Sequence, residues 1–299
     1  MQSRSKIGIL GGDGRQLALC PLFAEKGFEC ATWGLCDAVP GGLDGAVKCV
    51  DWKCAVNGAD ALILPLPVTT DGVRLNCRAL RDGGDVYVPR ITEIIEKLDH
   101  GTPVFAGKVP LPLSRFAAEH GVRLTDYYES EQFQIKNAVP TAEGAIGVAI
   151  SELDVTLAAS SCAVVGYGRI GRTLATRLVA LGCKTYCIAR SERDLAWASC
   201  DSCTPLTLAE GLGGKIHFDA IFNTVPHLLF DRNVLSALSP STVIIDLASS
   251  GCGVDTAEAD RLGIRTIKAL SLPGKTSPKS AGKIIFEAIY DKLMREADR

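Results

Sequence analysis

Residues 164 to 172 read Val164-Val165-Gly166-Tyr167-Gly168-Arg169-Ile170-Gly171-Arg172, a Gly-x-Gly-x-x-Gly pattern. Each glycine has its own task when such a turn carries a dinucleotide. Gly166 permits the tight turn, Gly168 lets the backbone approach a pyrophosphate, and Gly171 lets helix and strand pack closely. The helix N-terminus that follows offers free N–H groups and a partial positive charge to phosphate oxygens. The cofactor assignment takes in the whole run from Gly166 through Tyr167, Gly168, Arg169 and Ile170 to Gly171.

Such a pattern needs elements to position it. Cys162-Ala163-Val164-Val165 before it is a short apolar strand, and the stretch after it has apolar residues 174, 175, 178 and 181 at helical spacing, closed by Gly182. Lys184-Thr185-Tyr186-Cys187-Ile188-Ala189 then reads as a second strand, completing a β–turn–α–β unit. Sites selective for NAD place Asp or Glu at the end of that strand, about 20 residues beyond the glycines, to hold the ribose hydroxyls. Here Arg190 and Ser191 occupy the place. A guanidinium pairs bidentately with a 2′-phosphate, so NADP is the cofactor predicted.

A chain of 299 residues suits two domains. Its 47% hydrophobic and 22% charged residues are the balance of a chain with a full core. A net charge of −2 gives no support for nucleic-acid binding. No apolar run approaches the roughly 20 residues of a membrane span, and the opening segment lacks a signal-peptide layout, so a cytoplasmic protein is expected. Cys200-Asp201-Ser202-Cys203 is a C-x-x-C, but there is no second one and only four histidines occur in the chain. The twelve cysteines are read as small core residues and free thiols, and no metal is expected.

Strands are expected over 6–10, 28–33, 46–50, 61–66, 85–88, 104–106 and 122–125, with helices between them, notably over 17–26, 91–98 and 113–120. This alternation predicts a parallel sheet covered on both faces. Pro140 is expected to start a helix running to about residue 157. Strands over 219–223, 242–247 and 264–269 continue the nucleotide domain, and Ser277 with Pro278 opens a terminal helix. The fold class is α/β: two Rossmann-like, doubly wound parallel-sheet domains with a cleft between them, the C-terminal helix packing back on the first. The boundaries are 1–138, a bridging helix over 139–157, the nucleotide domain over 158–276, and the returning helix over 277–299. An earlier turn, Gly11-Gly12-Asp13-Gly14-Arg15, places a carboxylate where a pyrophosphate would be repelled. It reads either as a turn facing substrate or partner, or as an unliganded structural turn.

The segments Gly11-Gly12-Asp13, Val139-Pro140-Thr141-Ala142-Glu143-Gly144-Ala145-Ile146, Asn223-Thr224-Val225-Pro226, Asp246-Leu247-Ala248-Ser249, Leu272-Pro273-Gly274 and Pro278-Lys279-Ser280-Ala281-Gly282 span nearly the whole chain. In that order they resemble the family of dipicolinate synthase A subunits, and more distantly the D-2-hydroxyacid and alanine dehydrogenases. The resemblance implies NADP-dependent oxidation of a dihydrodipicolinate-type dicarboxylate (or its hydroxy-tetrahydro precursor) to dipicolinate, in the mother cell of a sporulating bacterium. It also implies the flavoprotein-like B subunit of dipicolinate synthase as partner; a homo-oligomer is expected. One segment departs: where the family carries an arginine after Asp-Leu-Ala-Ser, this chain has Ser250-Gly251-Cys252-Gly253.

Hydride transfer needs the reacting carbons held roughly 3–3.5 Å apart, and aromatisation also releases a proton. His227, after Asn223, Thr224, Val225 and Pro226, is the candidate base, with a solvent-facing loop histidine as the alternative. Glu143, expected in the first turn of the bridging helix, is an orienting acceptor or an ordinary N-terminal carboxylate. Asn223, Thr224, Val225, Pro226, Asp246, Leu247 and Ala248 are assigned to the cofactor. Arg15, Asn137, Thr141, Ser249 and Ser277, with Lys275, are the candidate contacts to substrate carboxylates. The competing readings are a D-2-hydroxyacid- or amino-acid-type dehydrogenase, and a nucleotide-binding regulatory protein whose catalysis sits on a partner.

Overall fold

Short apolar runs form the strands β1 (Lys6–Leu10), β2 (Glu29–Trp33), β3 (Ala46–Lys48), β4 (Ala61–Ile63), β5 (Pro103–Ala106) and β6 (Arg123–Asp126). The structure is a computed structural model and describes residues 5–35, 46–77, 87–248 and 253–297. All six strands pair in parallel in the order β3-β2-β1-β4-β5-β6. Successive side chains alternate between faces: Ile7, Ile9, Ile63 and Phe105 enter one buried cluster, and Leu10, Leu62, Leu64 and Val104 another. Helices α1 (Gly14–Leu17), α2 (Leu19–Glu25), α3 (Trp52–Val56), α4 (Ile91–Ile95) and α5 (Leu111–Glu119) connect them. The helix expected over 17–26 is two pieces, α1 and α2.

A long helix, α6 (Glu131–Glu152), leads into a second sheet. Its strands are β7 (Ser161–Val165), β8 (Lys184–Ile188), β9 (Thr204–Leu206), β10 (Ala220–Asn223), β11 (Val243–Asp246) and β12 (Thr266–Lys268). They too are parallel, in the order β12-β11-β10-β7-β8-β9, which repeats the topology of the first sheet. Cys162, Val164, Phe222 and Ile245 pack on one face and Ala163, Val165, Ile221 and Ile244 on the other. The remaining helices are α7 (Arg169–Ala180), α8 (Glu192–Cys200), α9 (Leu208–Leu212), α10 (Arg232–Ala237), α11 (Thr256–Arg261), α12 (Leu272–Thr276) and α13 (Pro278–Ala297).

The chain divides into two units, Met1–Asn137 with Pro273–Arg299, and Ala138–Leu272. Helix α13 belongs to the first: Ile285, Ile289 and Leu293 join the cluster of Leu19 and Phe23, and Phe23 meets Phe286 edge-on at 4.8 Å. The two six-stranded parallel sheets and the returning helix are the two-domain Rossmann-like fold expected.

Three local expectations are corrected. Pro140 does not open a helix but lies inside α6, which begins at Glu131 and ends at Glu152. A proline inside a helix costs ~3 kcal/mol through its missing N–H and its ring. Here Ala138, Pro140, Thr141 and Ala142 are all buried, and that packing carries the helix through. The strand expected over 85–88 falls partly outside the described residues, and Tyr87 and Val88 are not in a strand. Conversely, β9 contains Pro205, a residue that reads as a strand breaker but is tolerated at a sheet edge, where β9 lies.

Candidate functional site

In the second unit the turn after β7 has the three-glycine geometry a dinucleotide needs. Gly166 sits at φ +91°, and a Cβ there would lie 2.5 Å from Thr224 Oγ1. A Cβ on Gly171 would strike the Gly166 carbonyl oxygen, so α7 packs directly on the turn. Gly168 is the opposite case: a Cβ there meets nothing within 4 Å. It is the N-cap of α7, no side chain caps that terminus, and no acidic residue stands in the first turn. The first N–H groups of α7 therefore point into open space with a favourable dipole, which is an anion site. Of the pattern's other residues, Gly168 and Arg169 are exposed and Ile170 is half-buried. Tyr167 is turned inward: its hydroxyl donates to Asp201 Oδ2 at 2.7 Å, and Arg172 Nε reaches the same oxygen at 2.7 Å. Only the backbone of Tyr167 faces the turn's work.

The turn lies at the switch point of its sheet, between β7 and β10, where open α/β sheets bind ligands. Thr224 closes that point from β10, its N–H and its hydroxyl both donating to the Val165 carbonyl, at 2.9 and 2.8 Å. Arg190 follows β8 and is exposed; Ser191 is half-buried and serves as N-cap of α8. Asn223, fully buried, donates to Asp246 Oδ1 at 2.9 Å and accepts from the Val225 N–H at 3.1 Å. Asp246 Oδ1 also accepts from the Ala248 N–H at 3.2 Å. These two side chains lock the ends of β10 and β11 to each other. A Cβ on Gly253 would run into Asn223 Nδ2, so the returning chain must be bare there. Leu247 packs into the core and Ala248 is buried, while Val225 is half-buried and Pro226 exposed at the strand end.

The residues expected to do chemistry are distributed as follows. His227 is exposed in the loop after β10. Glu143 is in the middle of α6 instead of its first turn, so no N-terminal dipole acts on it. Its nearest cation is Arg177 of α7, at 3.7 Å. Asn137 and Thr141 are likewise mid-helix, half-buried and buried respectively. Lys275 is exposed within the short helix α12, one helix before the terminus it was expected to open. Ser277 is half-buried and directly precedes α13, whose first bond runs from the Ala281 N–H to the Ser277 carbonyl at 3.0 Å. Ser249 lies outside the described residues.

The glycine turn of the first unit is built differently. Asp13 caps α1 with its own carboxylate, in a capping box closed by Gln16. Gly274 lies against that carboxylate, and a Cβ on Gly14 would meet Pro278 Cβ at 2.9 Å. The terminus that could have met a phosphate is filled by the chain itself. Arg15, expected on a substrate carboxylate, is 5% exposed and holds Asp13 in a bidentate pair, Nε to Oδ1 and NH2 to Oδ2 both at 2.9 Å. Sequence reasoning missed Lys108, a half-buried cation just past β5. Its N–H donates to Asp126 Oδ1 at 3.1 Å, and its ammonium stands 4.9 Å from the Tyr128 ring centre. Burial, and then the charge of Arg15, depress its pKa. No motif surrounds it; only the pairing of β5 with β6 brings these groups together.

Residues 6–128 match the family model described as the N-terminal domain of the dipicolinate synthase A subunit. Residues 141–271 match that of the D-isomer specific 2-hydroxyacid dehydrogenase NAD binding domain. The second unit is thus a nicotinamide-dinucleotide domain of dehydrogenase type, as its open turn requires. The A subunit of dipicolinate synthase from Bacillus subtilis (strain 168) is 33% identical over 297 residues, covering 97% of this chain and 96% of the relative. The crystal structure of that synthase's A chain from Bacillus subtilis superposes with a TM-score of 0.82 at 30% identity, over 100% of this chain and 98% of that one. The corresponding A subunit from Bacillus halodurans gives 0.83 at 28%, over 97% of both chains. A transhydrogenase from Sinorhizobium meliloti, 16% identical with a TM-score of 0.66 over 96% of both chains, shares the fold. By identity along nearly its whole length, this chain belongs to the family of dipicolinate synthase A subunits.

Proposed function

We propose that this chain is an NADP-dependent dehydrogenase component that oxidises a dihydrodipicolinate-type ring to dipicolinate. The observation that supports the redox half is the empty space at Gly168 on an uncapped helix terminus, between two glycine positions that are filled. The substrate rests on the likeness to proteins named for it. Bound at the turn, the nicotinamide accepts a hydride. Removing a hydride and a proton from the dihydro ring leaves the aromatic dicarboxylate, so the balance is one oxidised cofactor reduced and one proton released.

The roles of the chain's own groups follow from chemistry. The α7 N–H groups hold the pyrophosphate, and Arg190 with Ser191 holds a 2′-phosphate. Val225 and Pro226 border the nicotinamide, and His227 or water takes the proton. Asn137, Thr141, Lys275, Ser277 and Ser249 remain the candidates for the two carboxylates. Lys108 joins them, because Arg15 is already neutralised by Asp13. The partner is the second, flavoprotein-like component that the family name implies, and the setting is the mother cell during sporulation.

The test is direct. Purified protein with NADP and freshly prepared dihydrodipicolinate raises absorbance at the NADPH band. Turnover only after adding the second component moves the reacting ring to that component. No turnover in either mixture, with the cofactor bound, refutes the substrate.

A further inference from the structure

Two thiols outside the nucleotide domain face each other. Cys49 follows β3 and Cys54 lies in the first turn of α3, and their Sγ atoms are 2.8 Å apart. Both backbones are anchored: the Cys49 N–H donates to the Thr32 carbonyl at 2.8 Å, and the Cys54 N–H to Asp51 Oδ1 at 2.8 Å. The sulfurs are therefore held together instead of meeting by chance. A disulfide needs about 2.05 Å between sulfurs, so a small side-chain adjustment closes it.

The two differ in access. Cys54 is exposed and Cys49 is 6% exposed. Burial, with the neighbouring thiol, pushes Cys49 up to about 12, so it rests as a thiol. Lys6 Nζ donates to the Cys54 and Asn57 carbonyls at 3.1 and 2.6 Å, placing a cation beside the pair. Two other close cysteine pairs, Cys20 with Cys30 and Cys162 with Cys183, are sealed in the cores, where no oxidant reaches.

We propose that Cys54 and Cys49 form a redox-active dithiol that a peroxide converts to a disulfide. The Cys54 sulfur attacks the peroxide, whose O–O bond breaks, leaving a sulfenic acid on Cys54 and releasing water. The Cys49 sulfur then attacks the sulfenic sulfur; the S–O bond breaks, the S–S bond forms, and the Cys49 proton leaves with the hydroxyl as a second water. Two thiols lose two electrons and one hydrogen peroxide gains them.

The sequence makes the product easy to see, because Lys48 and Lys53 put the two cysteines on separate tryptic peptides. Hydrogen peroxide added to the full chain, followed by alkylation and non-reducing digestion, joins Cys49-Val50-Asp51-Trp52-Lys53 to the peptide beginning at Cys54, with a loss of two hydrogens. Cys200, the other exposed thiol among the described residues, is the comparator and remains alkylated when the pair is already joined. Cys49→Ser leaves the Cys54 sulfenic acid to be trapped by dimedone, and Cys54→Ser leaves Cys49 alkylated. The proposal is overturned if both peptides stay unlinked while Cys200 oxidises. It is overturned equally if Cys49→Ser traps no dimedone adduct at Cys54, or if Cys49 oxidises as fast in Cys54→Ser.

Discussion

Gly168→Ala separates cofactor binding from folding at the α7 turn. The residue is at φ −78° and ψ −163°, extended backbone that any residue adopts. A Cβ added there touches no protein atom within 4 Å. The folded state therefore loses nothing, and the stiffer unfolded chain stabilises the protein by roughly 0.4–1 kcal/mol. That same Cβ stands where the pyrophosphate approaches. A tenfold weaker Kd is ~1.4 kcal/mol. With NADP at one hundred times the wild-type Kd, the wild type gains about 2.7 kcal/mol of apparent stability and the variant about 1.4. At about 2–4 °C per kcal/mol, the rise in Tm on adding NADP shrinks by roughly 3–5 °C, while the Tm without cofactor does not fall. Thermal scans with and without NADP, together with calorimetric titration, read both quantities. Wild-type affinity in the variant would refute the turn as the pyrophosphate site. Gly171→Ala is the counterpart: its Cβ strikes the Gly166 carbonyl, so it lowers Tm without cofactor, by about 1–3 kcal/mol of stability.

Arg190→Asp is expected to raise the Kd for NADP at least tenfold relative to that for NAD, and an unchanged ratio in paired titrations sinks the NADP assignment. Arg15→Met strands the Asp13 carboxylate, 11% exposed, without its cation, and should cost about 3–5 kcal/mol in denaturant unfolding; unchanged stability with lost turnover would instead mark Arg15 as a substrate contact. Lys108→Met should raise KM for the dicarboxylate with the NADP Kd unmoved, and steady-state kinetics beside cofactor titration separates the two. Asp201 is held below the ordinary carboxylate range by Arg172 and then, after burial's opposing effect, by Tyr167. Such a group keeps its stabilisation above its unfolded pKa and loses it as pH falls through the folded value. Unfolding curves of Asp201→Asn should therefore be flatter than wild type below about pH 4, and parallel curves would count against the pairing.

The parts of the fold legible in the sequence are those with a local cause. The β7–α7–β8 unit announces itself through glycine spacing and apolar period, and Pro278 at the start of α13 through its missing N–H. Legibility fails where tertiary packing decides. Pro140 looks like a helix start because a first-turn proline costs nothing, yet the burial of its neighbours runs α6 straight through it. Arg15 looks like a free cation because the sequence does not show that the Asp13 carboxylate folds back onto it. Asn223 and Asp246 look like cofactor contacts because they end strands, but what each meets is the other, across adjacent strands. Lys108 carries no local signal whatever, since its surroundings come from β5, β6 and the turn after β1.

Because both chain ends lie in the first unit, the nucleotide unit is an insertion within it. During synthesis, residues 138–272 are complete, continuous in sequence, and ready to fold while the first unit still lacks α13. Until the last residues leave the ribosome, the surface of Leu19 and Phe23 that Ile285, Ile289 and Leu293 cover stays bare. The first unit to be made is thus the last to be finished. A chain truncated before α13 would be born with a complete nucleotide unit and an apolar wound on the other.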